Sequence, residues 1–411
     1  MEKKRIALAI AAIASGSALA QSNVTISGQF KESFENVRAT GASAGGAADL
    51  TSRNRVTDQN SWLRFSGQED LGMGLTAWFQ VESAIGTSDN VGTTGAAPVA
   101  GAATGTGVGT RNTAVGLKGA WGNLFMGKWD VYYHTAYLID TGPAGNLPMS
   151  LAALDLLHTN GQGNSFGGRL NNTVFYESPN WTGLAFKLGY TTSGTGGSAN
   201  ENTSPGLAAK ESGWTFNPTY VNGPISAFYA YYRHNNIGAT SAVTPGASGQ
   251  RLTANRFGGS WAFPMGFKVG FIWDKNKIET EDGSMTLGAL GSAAGGGSVA
   301  AHNRRERDAW AIPASFAWGP NTIYATYGES RKVETTSGDL PNSRAKFGIL
   351  AWDYALSKRT AVNLSLARIN NDGNARYDFW HPSDAVGAQS STGLPAGADP
   401  QAVLVGVRHQ F

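Results

Sequence analysis

The sequence predicts an all-β fold, a closed antiparallel barrel of sixteen strands. Three observations carry that prediction. Apolar residues recur at every second position over segments of ten to fifteen residues. Connections alternate between very short and long. Outside the first twenty residues, no stretch approaches the ~20 apolar residues of a membrane helix.

Alternation is clearest in four places. Leu75, Ala77, Phe79 and Val81 interleave with Thr76, Trp78, Gln80 and Glu82. Leu184, Phe186, Leu188 and Tyr190 interleave with Ala185, Lys187 and Gly189. Phe267, Val269, Phe271 and Trp273 interleave with Lys268, Gly270 and Asp274. Val403, Val405 and Val407 interleave with Gly406 and Arg408. A period of two is strand. The length suits a tilted strand crossing a bilayer, which needs ~9–11 residues.

Seven tight turns are expected, at Asp70-Leu71-Gly72, Trp121-Gly122, Pro179-Asn180, Asn222-Gly223, Pro264-Met265, Gly319-Pro320 and Ser357-Lys358. Eight long loops rich in Gly, Ala, Ser and Thr fall near 39–57, 87–110, 131–168, 194–209, 238–249, 281–302, 335–342 and 372–400. Fifteen connections join sixteen strands. Short turns at one end and long loops at the other are the pattern of an outer-membrane barrel. In lipid every backbone N–H and C=O must be paired, and only a closed sheet has no edge. A soluble propeller or lectin-like sandwich would also give many strands. The strand length, the near-continuous apolar side and the aromatics near strand ends (Trp129, Tyr132, Tyr133, Trp181, Trp261, Trp318, Trp380) argue for the membrane barrel.

Residues 1–20 read as a secretory signal peptide, with Lys3, Lys4 and Arg5, an apolar run from Ile6 to Ala14, and Ala18-Leu19-Ala20 at the cleavage site. Residues 21–411 then form one barrel domain. The absence of cysteine excludes a disulfide scaffold and a thiolate metal site. With 32 basic and 29 acidic residues, and no long basic run, the chain is not a nucleic-acid binder. Gly41-Ala42-Ser43-Ala44-Gly45 fits a nucleophile-elbow pattern, but it lies in a low-complexity loop without the strand and helix an elbow needs. The six histidines lack metal-ligand spacing. No enzyme, cofactor or metal is expected.

Several segments together carry a family resemblance. They are Ser22-Asn23-Val24-Thr25-Ile26-Ser27-Gly28, Phe65-Ser66-Gly67-Gln68-Glu69-Asp70-Leu71-Gly72, Phe79-Gln80-Val81-Glu82-Ser83 and Val115-Gly116-Leu117-Lys118-Gly119. Asn171-Asn172-Thr173-Val174, Leu356-Ser357-Lys358-Arg359-Thr360 and Val405-Gly406-Val407-Arg408-His409-Gln410-Phe411 follow in order. In this order and spacing the chain resembles the general Gram-negative porins, β-proteobacterial type. The resemblance implies a homotrimer of barrels in the outer membrane, in contact with lipid and lipopolysaccharide. It also implies recognition of the C-terminal Phe411 by the barrel-assembly machinery.

A sixteen-stranded barrel leaves an aqueous channel, so selectivity needs a narrowing. The third loop, 131–168, is long and carries the apolar segment Met149–His158, suited to the inner wall. The resemblance implies that it folds inward as the constriction. If the apolar set faces lipid, parity turns Lys31, Arg64, Lys118 and Arg169 inward. Lys128 stands where related porins carry a constriction arginine. Trp62 and Ser66 stand where they usually carry basic residues, a departure that leaves Arg64 between them. The loop offers Asp140 and Asp155 as acids. Basic rings favour anions. The expected function is therefore a passive, weakly anion-preferring channel for small hydrophilic solutes and ions. A channel specific for organic anions or sugars is the main alternative, with Trp62, Trp78 and Trp214 as a candidate aromatic lining. A barrel enzyme is the remaining one.

Overall fold

The computed structural model describes residues 24–59, 61–86, 88, 108–135, 168–192, 212–237, 250–280, 304–379, 386–387 and 393–411. The signal-peptide segment and most of the third loop, including Asp140 and Asp155, lie outside these residues.

Sixteen strands close into one antiparallel barrel. They are β1 (Thr25–Thr40), β2 in two segments (Leu50–Asp58 and Trp62–Gly72), β3 (Leu75–Ala84), β4 (Thr113–Gly119) and β5 (Gly122–Asp130). Then come β6 (Arg169–Glu177), β7 (Leu184–Thr191), β8 (Ser212–Asn222), β9 (Ile225–Ile237), β10 (Gln250–Ala262) and β11 (Phe267–Thr280). The last five are β12 (Arg304–Trp318), β13 (Asn321–Ser330), β14 (Ala345–Ala355), β15 (Thr360–Asn371) and β16 (Asp399–Gln410). All seven expected turns join the strands that they were expected to join.

Two differences from the sequence reading have local causes. Leu50–Asp58 was expected to be loop, yet it pairs with β1. Its inward Arg53, Arg55 and Thr57 and its outward Asn54 are all polar, so no apolar period marks the strand. The seventh loop folds a small hairpin, Glu334–Thr335 against Gly338–Asp339, over the buried pair Val333 and Leu340.

The seam closes between β1 and β16, from Gln29 opposite Gln410 to Thr40 opposite Asp399. Phe411 extends it. Gly28 N donates to Phe411 O and Phe411 N donates to Gly28 O, both at 3.1 Å. The Phe411 ring stacks on Phe30 with centroids 5.8 Å apart. Gly28 is small by necessity, because a Cβ there would stand 2.4 Å from Phe411 Cζ and 3.0 Å from the Trp62 carbonyl.

Alternation settles the faces. Ile26, Phe30, Phe34, Val403, Val405 and Val407 are outward and exposed, while Lys31, Ser33, Glu35, Leu404 and Arg408 are inward and buried. The wall is uneven in height. Strands β4 to β7 have only 7, 9, 9 and 8 residues, against 13, 13, 14 and 15 for β9 to β12. The third loop leaves from the low side.

Gly28→Val is expected to lower the stability of the folded barrel by about 1–3 kcal/mol, the usual cost of overpacking. A denaturant midpoint in detergent, read by heat-modifiable gel migration, checks it.

Candidate functional site

The third loop enters the barrel at its first turn. Val131 N bonds Gly168 O at 2.9 Å, and the short helix α1 (Tyr132–Thr135) follows at once. Two adjacent tyrosines pin it to the inner wall. Tyr132 packs on Phe125 and Phe175, with Trp78 and Trp129 beside them. Inward Gly116 and Gly189 leave room for this aromatic patch, since a Cβ at either would fall within 2.5 Å of Phe125 or Phe175. Tyr132 Oη donates to Glu177 Oε1 at 3.2 Å. Tyr133 reaches the opposite way, to β8, β10 and β11. Its N–H donates to Thr215 Oγ1 at 3.3 Å and its hydroxyl to Asp274 Oδ2 at 2.5 Å. Burial pushes both phenols up, so each stays a neutral donor.

Asp274 is the centre of a buried group. Arg256 Nε lies 3.0 Å from Asp274 Oδ2 and Arg307 Nη2 lies 3.5 Å from Oδ1. The Arg256 guanidinium also donates to the Tyr133 carbonyl at 3.2 Å and covers the Tyr133 ring at 4.4 Å. Around it, Phe228, Ala230, Tyr232, Leu252, Ala254 and Ile272 make an apolar inner wall on β9 to β11, packed with Val131 and Tyr133.

The same arithmetic recurs elsewhere. Glu82 on β3 takes Arg64 Nη2 at 2.5 Å and Arg111 Nε at 2.6 Å. Lys31 and Arg408 are cross-strand partners on the inner face, and both act electrostatically on Asp353. Two inward carboxylates, Asp274 and Glu82, are thus each paired with two cations, while Asp353 lies only in the field of Lys31 and Arg408. Glu35 is bonded differently, by Arg55 at 2.9 Å and by Ser33, Thr57 and Gln59.

The expected basic residues fall in different places. Lys31 is deep on the inner wall. Arg64 is inward, over the Trp62 ring at 4.6 Å. Lys118 sits one residue from the turn, exposed, and donates to Gln68 Oε1 at 2.8 Å, away from the third loop. Arg169 closes β6 at the loop's root, with Nη2 3.1 Å from Asp130 and Nε 2.7 Å from Asn112 Oδ1. A bulge with Asn172 at φ +51° intervenes between Arg169 and Thr173, so a parity count between them does not carry through. Lys128 is electrostatically coupled to Arg169 and shares the parity of exposed Leu124 and Met126. Trp78 is inward and bonded to Asn123, whereas Trp214 faces outward.

Sequence reasoning missed Arg256 and Arg307, although outward Phe257 and Ile312 would have given their parity. It placed the eighth loop near 372–400 but missed its inward packing. Ala375, Tyr377, Phe379, Val386 and Leu394 are buried against inward Val37, Phe347, Ile349, Ile369 and Leu404. Its described residues therefore lie inside the mouth, on the wall from β14 to β1. Tyr377 Oη bonds Ser330 Oγ at 2.5 Å, and Arg53 donates to the Val386 carbonyl. Asp378 accepts the N–H groups of Phe379, Val386 and Gly387 at 2.8, 2.9 and 2.7 Å. Burial pushes the Asp378 carboxyl up, and those donors and the Arg55 charge pull the other way.

Comparison with known proteins places this architecture. A family model described as Gram-negative porin matches residues 7–374. The major outer membrane protein P.IB of Neisseria meningitidis serogroup B / serotype 15 (strain H44/76) is 25% identical over 389 residues, covering 94% of this chain and 98% of that protein. The P.IB protein of Neisseria lactamica is 24% identical over 368 residues, covering 89% and 92%. An anion-selective porin from Comamonas acidovorans superposes with a TM-score of 0.64 at 21% identity, covering 95% of this chain and 100% of that one. The trimer form of OmpT from Vibrio cholerae superposes with a TM-score of 0.60 at 12% identity, covering 95% and 99%.

Asp274→Ala is expected to cost about 3–5 kcal/mol, because it strands two buried guanidiniums. Equilibrium unfolding in detergent checks it, with Tyr133→Phe as a milder companion costing about 1 kcal/mol. Replacing both Tyr377 and Phe379 by Ser is expected to release the eighth loop and raise single-channel conductance in planar bilayers.

Proposed function

Because this chain belongs to the Gram-negative porin family, we propose that its passive outer-membrane channel prefers anions weakly and admits small hydrophilic solutes. The observation that carries the reading is the two-to-one pairing of Glu82 and Asp274 by cations, with Lys31 and Arg408 both set near Asp353 on the inner wall. Each such group keeps a net positive charge on the wall. A low-dielectric wall focuses that field into the water column, and basic pore linings favour anions. The Comamonas neighbour, described as anion-selective, supports the same sign. Lys31 and Arg64 take part directly. Arg169 acts from the third loop's root and Lys118 from the turn-side mouth, whereas Lys128, on the outward parity of β5, contributes less to the lumen. Asp140 and Asp155 remain the candidate acids of the loop.

We read the working unit as a homotrimer. The trimer form of the Vibrio OmpT neighbour supports this. So does Glu32, which shares the outward parity of Phe30 and Phe34 and has no hydrogen-bond partner among the described residues. A lone carboxylate is costly against hydrocarbon, so this face of β1 suits a neighbouring subunit. Lipopolysaccharide contact and recognition of Phe411 by the assembly machinery belong to the same reading. The family supports reading the chain as a channel.

A second reading has one observation in its favour. Half-buried Trp78 and Trp129, packed on buried Phe125 and Tyr132, offer an inward edge against which a sugar or an aromatic anion could stack. Liposome swelling separates the two: rates that fall smoothly with solute size support the general channel, and saturation by one solute class supports the specific one.

Reversal potentials in a potassium chloride gradient test the sign. Anion preference is expected, and Lys31→Gln with Arg408→Gln is expected to move the potential toward cations. A wild-type potential on the cation side overturns the proposal.

A further inference from the structure

The inner face of the low wall carries a charged row that the third loop's root leaves open. Cross-strand register sets the inward side chains there in two rows. The row nearer the turns runs Lys118, Asn123, Glu177 and Lys187. The row above it runs Trp78, Gly116, Phe125, Phe175 and Gly189. Phe125 and Phe175 are buried beneath Tyr132. The lower row is not covered in this way. The Glu177 and Lys187 side chains keep 30% and 41% of their surface exposed, on the side that faces the channel.

Glu177 is held differently from Glu82 and Asp274, which are buried and paired with two cations each. Its one ionic partner is Lys187, with Nζ 3.5 Å from Oε1. Its other contacts are neutral: Tyr132 Oη donates to Oε1 and Asn123 Nδ2 donates to Oε2, both at 3.2 Å. Trp78 Nε1 donates in turn to Asn123 Oδ1 at 2.8 Å. This chain of bonds fixes a half-buried indole relative to the carboxylate. The Lys187 ammonium lies 5.1 Å from the centre of the Tyr132 ring. An ammonium has three N–H donors, so a single carboxylate does not exhaust it. An ion pair open to water contributes less than about 1 kcal/mol, so it admits a third partner at little cost.

We propose that the Glu177–Lys187 pair is a binding site for free amino acids with an aromatic side chain. The α-ammonium meets Glu177, the α-carboxylate meets Lys187, and the ring lies along Trp78. Covalent geometry fits the pair. The N–Cα and Cα–C bonds hold the ammonium nitrogen and the carboxyl carbon about 2.5 Å apart, close to the 3.5 Å between Oε1 and Nζ. Each charge of the solute then faces its opposite, and the four charges close a ring in which neighbours attract. A plain anion gains Lys187 but meets Glu177, and a plain cation meets the reverse. The proposal rests on the channel reading and gives the lumen one defined stop, on the turn side of the third loop's root.

Folded protein in detergent is titrated with phenylalanine, N-acetylphenylalanine and phenylalanine amide at about pH 6, where an α-amino group is protonated. Dissociation constants are read by saturation-transfer NMR. The acetyl compound lacks the ammonium and the amide lacks the carboxylate. Each is expected to bind the unsubstituted protein about tenfold more weakly than phenylalanine, a difference of about 1.4 kcal/mol. Glu177→Gln is expected to erase the gap between phenylalanine and its acetyl derivative. Lys187→Gln is expected to erase the gap between phenylalanine and its amide. Lys118→Gln, on the far side of Asn123, is expected to leave all three constants unchanged. Glutamine at 177 keeps an acceptor for Tyr132, and heat-modifiable migration checks that each variant is folded. Equal binding of the three compounds by the unsubstituted protein overturns the proposal, as does an equal loss for all three in every variant. N-acetylphenylalanine binding as tightly as phenylalanine would put an aromatic anion on this wall and overturn it too. Binding is read without conduction, so liposome swelling reports on the channel separately.

Discussion

Everything in this molecule depends on pairing the backbone of the first strand with that of the last. A strand edge in hydrocarbon leaves N–H and C=O groups with no partner, at several kcal/mol each. The register from Gln29–Gln410 to Thr40–Asp399, finished by the reciprocal bonds of Gly28 and Phe411, removes that penalty. Closure then forces the alternation. Once the sheet is a cylinder, one side of every strand meets lipid and the other meets the channel. The inward set is free to be charged.

The low wall sets where the third loop begins. Strands β4 to β7 stop early, so the chain leaving β5 is already at mid-height when it turns inward. Tyr132 and Tyr133 are neighbours in sequence yet hold opposite sides, one on an aromatic patch and the other on the Asp274 group. The eighth loop occupies the wall from β14 to β1. The root of the third loop and the described part of the eighth thus pack on different arcs of the inner wall.

Much of the architecture was legible in the sequence, because its signals are local. A turn such as Asn222-Gly223 or Gly319-Pro320 declares itself within a few residues, and a membrane strand repeats every second position. The features that escaped are those in which the apolar period is interrupted, as in Leu50–Asp58, where outward Ser52 and Asn54 separate Leu50 from Val56, or in which parity is broken, as at Asn172. The site was harder still. Asp274 meets Tyr133 across 141 positions, and no spacing rule reaches that far. Arg256 and Arg307 were within reach of the parity rule, since each lies on a strand with clear outward neighbours. The eighth loop's run Tyr377-Asp378-Phe379-Trp380 is unusually apolar for an exposed tip, and it was the one available hint of its burial.

The paired guarding of inward Glu82 and Asp274 has a consequence for how this channel tolerates change. Losing one cation leaves its acid still neutralised by the other, so the local charge drops to zero without becoming negative. Permeation would then drift by degrees as guards are lost, and no single position along the passage would hold a veto over it.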